Sequence, residues 1–376
     1  MRKTMLSILV LATLALAGCS ETTPEPTIEN STVTPAETAT PVPTATPEPT
    51  EAPTATPVPT ATPTPIPTVP LVEFERSRTY PDNTYQNMDS YYVNNTSAPQ
   101  GTVVTFTYDT KNHLKEDDTI YQKSALVYLP AGYDETDTET RYNILYLMHG
   151  GGDSPKWYLG SDGKSSRITR MLDNLIEKGD IEPLIVCAVS YYNDYSNDAT
   201  KNCINFHYEL MNDLIPALET TYPTYAENIT AEGLAASRTH RAFGGFSMGA
   251  VTTWSVFEHC LNEFAYFLPM SGDCWALGQT AGSSKSLQTA SHLASVVAEA
   301  GKTAEDFFIY SGCGENDIAE PNLTPQIKMM KLLPDTFIYC DNFANGNLYE
   351  CIYPNGGHDV RTVSAVMYNG LPKFFH

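Results

Sequence analysis

From about residue 100 onward the chain alternates between two patterns. Short, nearly continuous apolar runs at 103–108, 125–129, 143–148, 184–190, 241–245, 264–270, 307–311 and 348–353 have the length and composition of strands. Between the later runs, apolar positions recur three and four residues apart, at 165–178, 204–221, 250–260, 287–300, 324–332 and 360–374, which predicts helices. Apolar strands alternating with amphipathic helices predict a mostly parallel sheet covered on both faces, a doubly wound α/β fold. The first two strands have no helix between them and predict an antiparallel edge.

The first seventy residues follow neither pattern. Met1-Arg2-Lys3, an apolar run from Met5 to Ala17 and Leu16-Ala17-Gly18-Cys19 describe a secretory signal sequence, with an apolar stretch too short to span a bilayer as a helix. The Leu-Ala-Gly-Cys ending resembles the lipobox of bacterial lipoproteins, which implies cleavage before Cys19 and acylation of its thiol. Residues 20–70 hold 14 of the 27 prolines, no Lys or Arg, and repeated Pro-Thr-Ala-Thr-Pro units. With few large apolar side chains to offset the entropy of folding, this stretch is expected to stay extended as a linker. The expected order is thus a signal sequence at 1–19, a linker at 20–70 and a single catalytic domain at 71–376, held outside a bacterial cell by its lipid.

Charge and cysteine content narrow the partners. A net charge of −22 repels phosphate backbones, so nucleic acid is not an expected partner, and contact with a membrane is expected only through the lipid anchor. Of eight cysteines, seven remain if Cys19 is acylated, and none forms a C-x-x-C pair, which removes support for a zinc ribbon or a thioredoxin-like site. No metal or cofactor is expected.

The strongest local signal is Gly245-Phe246-Ser247-Met248-Gly249, with a strand pattern before it and a helix pattern after it. In that context G-x-S-x-G reads as the nucleophile elbow of an α/β-hydrolase, a turn that lifts the Ser247 hydroxyl above the sheet. A serine hydroxyl needs a neighbouring base, and in this fold the partners follow in the order Ser, Asp or Glu, His. His358, in Gly356-Gly357-His358-Asp359 after the last strand run, is the expected base. Asp317, ending a glycine-rich loop after the run at 307–311, is the expected orienting acid, with Glu315 two residues away as the alternative. Asp359 is expected to cap the final helix, and His259 and His292 to be surface or packing residues. An oxyanion hole needs two aimed backbone donors. Met248 supplies one, and His149-Gly150-Gly151-Gly152 the other, with Gly151 favoured, Gly152 open and His149 structural.

Several of these segments together resemble one family. Tyr128-Leu129-Pro130-Ala131-Gly132-Tyr133, the run from Ile144 to Gly152 with Trp157 after it, the elbow, and Pro269-Met270-Ser271-Gly272-Asp273-Cys274-Trp275 are similar to the esterase D-type family. Within it they look most like the feruloyl esterases of carbohydrate esterase family one, the esterase domains attached to bacterial xylanases. The resemblance implies hydrolysis of hydroxycinnamoyl (feruloyl) esters on plant xylan or its oligosaccharides, with Ser247, Asp317 and His358 as triad. It also implies Trp275, Trp157 and Asp273 as substrate-binding residues, and a hydroxycinnamoylated arabinoxylan or oligosaccharide as partner. Acetyl xylan esterases and acyltransferases share the fold, and a non-catalytic carbohydrate-binding lipoprotein is a third reading, which the presence of both Ser247 and His358 disfavours.

Overall fold

Strands form at all eight predicted positions. They are β1 (Thr102–Lys111), β2 (Ile120–Leu129), β3 (Asn143–Met148), β4 (Leu184–Val189), β5 (Arg241–Phe246), β6 (Tyr266–Met270), β7 (Phe308–Gly314) and β8 (Leu348–Tyr353). The structure, a computed structural model, describes residues 84–161 and 164–375. The signal sequence, Cys19, the linker and the first residues of the expected catalytic domain, 71–83, lie outside the described residues.

The strands make one sheet in the order β1-β2-β4-β3-β5-β6-β7-β8. The β1–β2 and β2–β4 pairings are antiparallel and the rest are parallel, so the expected antiparallel edge is present and extends to β2–β4. Strands β3 to β7 are buried along their whole length, which is why they read as unbroken apolar runs. From β3 the chain winds outward to β4, then crosses back past β3 to β5 and continues the other way. The crevice beyond the carboxyl ends of β3 and β5 is therefore the switch point where such sheets bind ligands.

The helices depart from expectation where proline intervenes. The predicted helix at 204–221 is broken into Ala199–Ile204, Phe206–Glu209, a π-helical turn Leu210–Leu214 and Ile215–Thr221. Pro216 has no amide to donate and its ring clashes with the carbonyl four residues earlier, so the preceding ladder widens by one residue. The helix predicted at 324–332 runs instead over Glu320–Met330, with Pro321 accommodated in its first turn. The last helix stops at Gly370 and gives way to a 3-10 turn, Leu371–Lys373, at Pro372.

The amino end of β5 is tied by a buried ion pair. Arg241, 1% exposed, donates Nε to Glu219 Oε1 at 2.6 Å and Nη2 to Oε2 at 2.7 Å. Its other donors reach Leu234 O, Glu263 O and the Ser237 hydroxyl, so all five are used. The hydroxyls of Tyr146 and Thr224 complete the carboxylate, each at 2.9 Å. Removing one member of such a buried pair leaves an uncompensated charge.

Candidate active site

Ser247 stands between β5 and the helix Met248–His259, with φ 57° and ψ −116°. Left-handed φ in a non-glycine residue is costly and persists only where neighbours enforce it. Here Ser247 N–H donates to Met270 O at 2.9 Å, and the helix begins at once with Ala250 N–H donating to Ser247 O. The turn is also too tight for side chains beside it. A Cβ at Gly245 would fall 2.3 Å from Gly249 O, and one at Gly249 would fall 2.0 Å from Met148 O. Both glycines of the motif are therefore set by close backbone approach.

His358, after β8, places Nδ1 2.7 Å from Asp317 Oδ1. A carboxylate oxygen accepts, so Nδ1 carries the proton and Nε2 is left as a base. Asp317, at the end of β7's loop, has a fully buried side chain. Its Oδ1 also accepts from Ala319 N–H at 2.8 Å and its Oδ2 from the Ser271 hydroxyl at 2.7 Å. Burial alone would raise its pKa, but the bonds from His358, Ala319 and Ser271 outweigh it and hold the carboxyl below its ordinary range. Glu315 is turned elsewhere, accepting from Asn355 N–H at 2.9 Å. Asp359 caps the last helix through Arg361 and Thr362 N–H, as expected. His259 stacks on His207 at 3.9 Å and His292 pairs with Glu258 at 2.6 Å, so both stand apart from this cluster.

The loop after β3 approaches the elbow from the other side. A Cβ at Gly150 would lie 3.3 Å from Ser247 Cβ, and one at Gly151 would lie 3.2 Å from Met248 Sδ. His149 is fully buried, and burial lowers its pKa. Its Nδ1–H donates to Gly150 O at 2.7 Å, and its Nε2 accepts from the Ser190 hydroxyl at 2.8 Å. Gly152 N–H donates to the Tyr192 hydroxyl at 2.8 Å. Among the described residues no acceptor meets the amides of Gly151 or Met248. Tyr192 thus engages the Gly152 amide and not that of Gly151.

The aromatic candidates behave differently from one another. Trp157 stacks on Phe246 with ring centres 5.0 Å apart and planes within 4°, and Phe246 in turn lies 4.4 Å from the His358 ring. Trp275 is half-buried on the loop after β6, and that loop presses on the elbow, where a Cβ at Gly272 would fall 2.6 Å from Ser247 O. Asp273 is 4% exposed, and its oxygens accept from Trp275 Nε1 at 3.1 Å and Gly282 N–H at 2.8 Å. It holds Trp275 and the loop, and offers no free carboxylate to a ligand. Sequence reasoning missed Ser271, which has φ 59° and completes Asp317, and the tyrosine pair that pins the glycine loop. Ser271 lies inside a quoted motif, but its contact across β6 and β7 has no signature in local sequence.

The Esterase family model, described as "Putative esterase", matches residues 122–371. Endo-1,4-beta-xylanase Y of Acetivibrio thermocellus is 41% identical over 254 residues, which is 68% of this chain and 22% of that protein. The chain thus spans about a fifth of the length of the curated relatives it matches. Among solved structures, a serine-to-alanine mutant of the feruloyl esterase module from Clostridium thermocellum, complexed with sinapinate, is 37% identical. It matches with a TM-score of 0.68, covering 80% of this chain and 97% of that one. A ferulic acid esterase from the anaerobic fungus Anaeromyces mucronatus, at 19% identity and TM-score 0.54 over 80% and 98% of the chains, shares the fold. The chain belongs to the esterase family of α/β-hydrolases.

Proposed function

We propose that this protein is a feruloyl esterase that cleaves hydroxycinnamoyl esters of xylan or its oligosaccharides through Ser247, His358 and Asp317. The observation that carries the reading is the 37% identity to nearly the whole of a feruloyl esterase module, in a chain whose base and acid are hydrogen-bonded and whose base lies 4.4 Å from Phe246, the residue before Ser247. Ser247 Oγ attacks the ester carbonyl while His358 Nε2 takes its proton. Asp317 fixes the ring with Nδ1 protonated and stabilises the imidazolium that forms. The developing oxyanion is met by the backbone amides of Met248, at the helix start, and Gly151, in the glycine loop. His358 returns the proton to the departing sugar hydroxyl, and a water activated by the same nitrogen releases the acid. No metal or cofactor enters any step.

The aromatic ring of the acyl group is assigned to a slot at Trp275, held by Asp273, with Trp157 and Phe246 backing His358. Steady-state kinetics on methyl ferulate, methyl p-coumarate, p-nitrophenyl acetate and acetylated xylan test the reading. The expected order places ferulate above a simple acetyl ester in kcat/KM. A preference for acetylated xylan would move the protein to the acetyl esterases, and transfer to an added sugar in place of water would make it an acyltransferase.

We also propose export and lipid attachment at Cys19, on the basic start, the apolar run and Leu16-Ala17-Gly18-Cys19. Cys19→Ser should move the protein from the membrane fraction to the soluble one. A variant that stays with the membrane would remove the lipid from the account.

A further inference from the structure

Three consecutive glycines let the loop after β3 approach the elbow, and they also leave its backbone free to turn. A donor in such a loop is aimed only if something other than the glycines holds it. Gly151 N–H belongs to the same peptide unit as the Gly150 carbonyl, and in a planar trans unit the two point in opposite directions. Whatever fixes Gly150 O therefore fixes the direction of Gly151 N–H.

Gly150 O accepts from His149 Nδ1–H at 2.7 Å, from the Tyr191 hydroxyl at 3.3 Å and from Asp153 N–H at 3.3 Å. The Tyr191 hydroxyl has one hydrogen and also lies 3.4 Å from Tyr192 Oη and 3.5 Å from Met248 Sδ, so that hydrogen is shared. The short bond from His149 is the dedicated one. His149 is held in turn, fully buried between the rings of Tyr191 and Tyr192, whose centres lie 5.0 and 5.4 Å from its own. A carbonyl only accepts, so Nδ1 carries the proton, and burial disfavours a second one and leaves Nε2 as an acceptor. The Ser190 hydroxyl donates to Nε2 at 2.8 Å and itself accepts from Tyr192 N–H at 3.1 Å. The bonds run in one direction, from Tyr192 N–H through Ser190 and His149 to Gly150 O.

We propose that His149 is a positioning residue of the oxyanion hole: through the Gly150 carbonyl it aims the Gly151 amide, and Ser190 keeps it in the tautomer that does so. The role rests on the esterase reading above, in which Gly151 is an oxyanion donor. His149 lies behind the loop and acts on the reaction only through the peptide unit it holds. A donor fixed in advance costs no reorganisation when charge develops on the substrate oxygen. Because that charge belongs to the transition state and not to the bound ester, loosening the donor lowers kcat and leaves KM in place.

Substitutions of His149 separate the donor from the ring. His149→Phe keeps a ring and loses the donor, His149→Asn keeps a donor at the same remove from Cβ as Nδ1, and His149→Gln moves it one bond further out. On methyl ferulate and p-nitrophenyl acetate alike, His149→Phe and His149→Gln should lower kcat about 10- to 100-fold with KM little changed, short of the loss from deleting an oxyanion donor outright. His149→Asn should recover most of that loss. Inhibition by an aryl trifluoromethyl ketone, which Ser247 converts to an oxyanion, should weaken by the same factor, while inhibition by free ferulate stays as in the wild type. Nitrogen-resolved NMR of the imidazoles reads the tautomer without substrate and without any variant, and wild-type His149 should carry its proton on Nδ1. His149→Asn no better than His149→Gln, losses shared equally by KM and ferulate inhibition, or wild-type His149 protonated on Nε2 would each overturn the positioning role. Wild type inert to every ester, with His149 protonated on Nδ1, would instead overturn the esterase reading and the oxyanion role with it.

Discussion

The two ends of β5 place similar polar groups in opposite states. At its amino end, Arg241 and Glu219 are buried and every guanidinium donor has an acceptor. At its carboxyl end, Ser247 is held at left-handed φ, and among the described residues no hydrogen-bond partner meets the Met248 and Gly151 amides or His358 Nε2. The first end uses its hydrogen-bonding capacity on the fold, and the second keeps it for a ligand. That contrast separates residues whose loss should unfold the protein from residues whose loss should silence it.

The contrast can be broken most sharply at Asp317. Asp317→Asn should lower turnover of methyl ferulate by about three orders of magnitude or more, because the tautomer of His358 is no longer fixed. Glu315→Gln should stay within a few-fold of the wild type, and the reverse ranking would reassign the acid. At the other end, Glu219→Ala should cost about 3–5 kcal/mol in denaturant unfolding by leaving Arg241 buried and unpaired, with kcat of the folded fraction nearly unchanged. A stable variant with lost activity would erase the distinction between the two ends.

How much of this was legible follows from which forces are local. Strands β3 to β7 could be read because a strand buried on both faces must be apolar throughout, and β3 and β8 matched even their bounds. The elbow could be read because its glycines answer a backbone clash within a few residues. Asp317 was separable from Glu315 only through the fold, since the choice depends on which carboxylate meets His358 across two loops. Ser271, Tyr191 and Tyr192 were illegible for the same reason, as their partners come from other strands. The helix over 204–221 was read straight through Pro216, and the π-turn before that proline depends on the packing around it.

Smaller effects sharpen the account. Trp275→Ala should lower kcat/KM on methyl ferulate by about 1–3 kcal/mol more than on a simple acetyl ester, as a lost ring contact would. Equal losses on both would make Trp275 a packing residue. Beside the middle of the helix Met248–His259, burial and then the neighbouring His259 hold the His207 pKa down to about 4. The unfolded chain takes up this proton near pH 6.5. Stability linked to His207 is therefore present above that pH, falls as pH drops toward about 4, and levels off below it. His207→Phe should flatten the stability–pH curve in that window by no more than one proton's worth of slope, and an unchanged slope would remove His207 as a contributor.

The central claim is that Ser247 carries the acyl group. Wild-type protein mixed with a feruloyl ester of a good leaving group, quenched in acid within the first turnover and digested, should yield the peptide containing Ser247 with the mass of one added feruloyl group. Ser247→Ala should yield none and should fold with an unchanged thermal midpoint. Feruloylation at another residue, or full turnover by Ser247→Ala, would contradict the account.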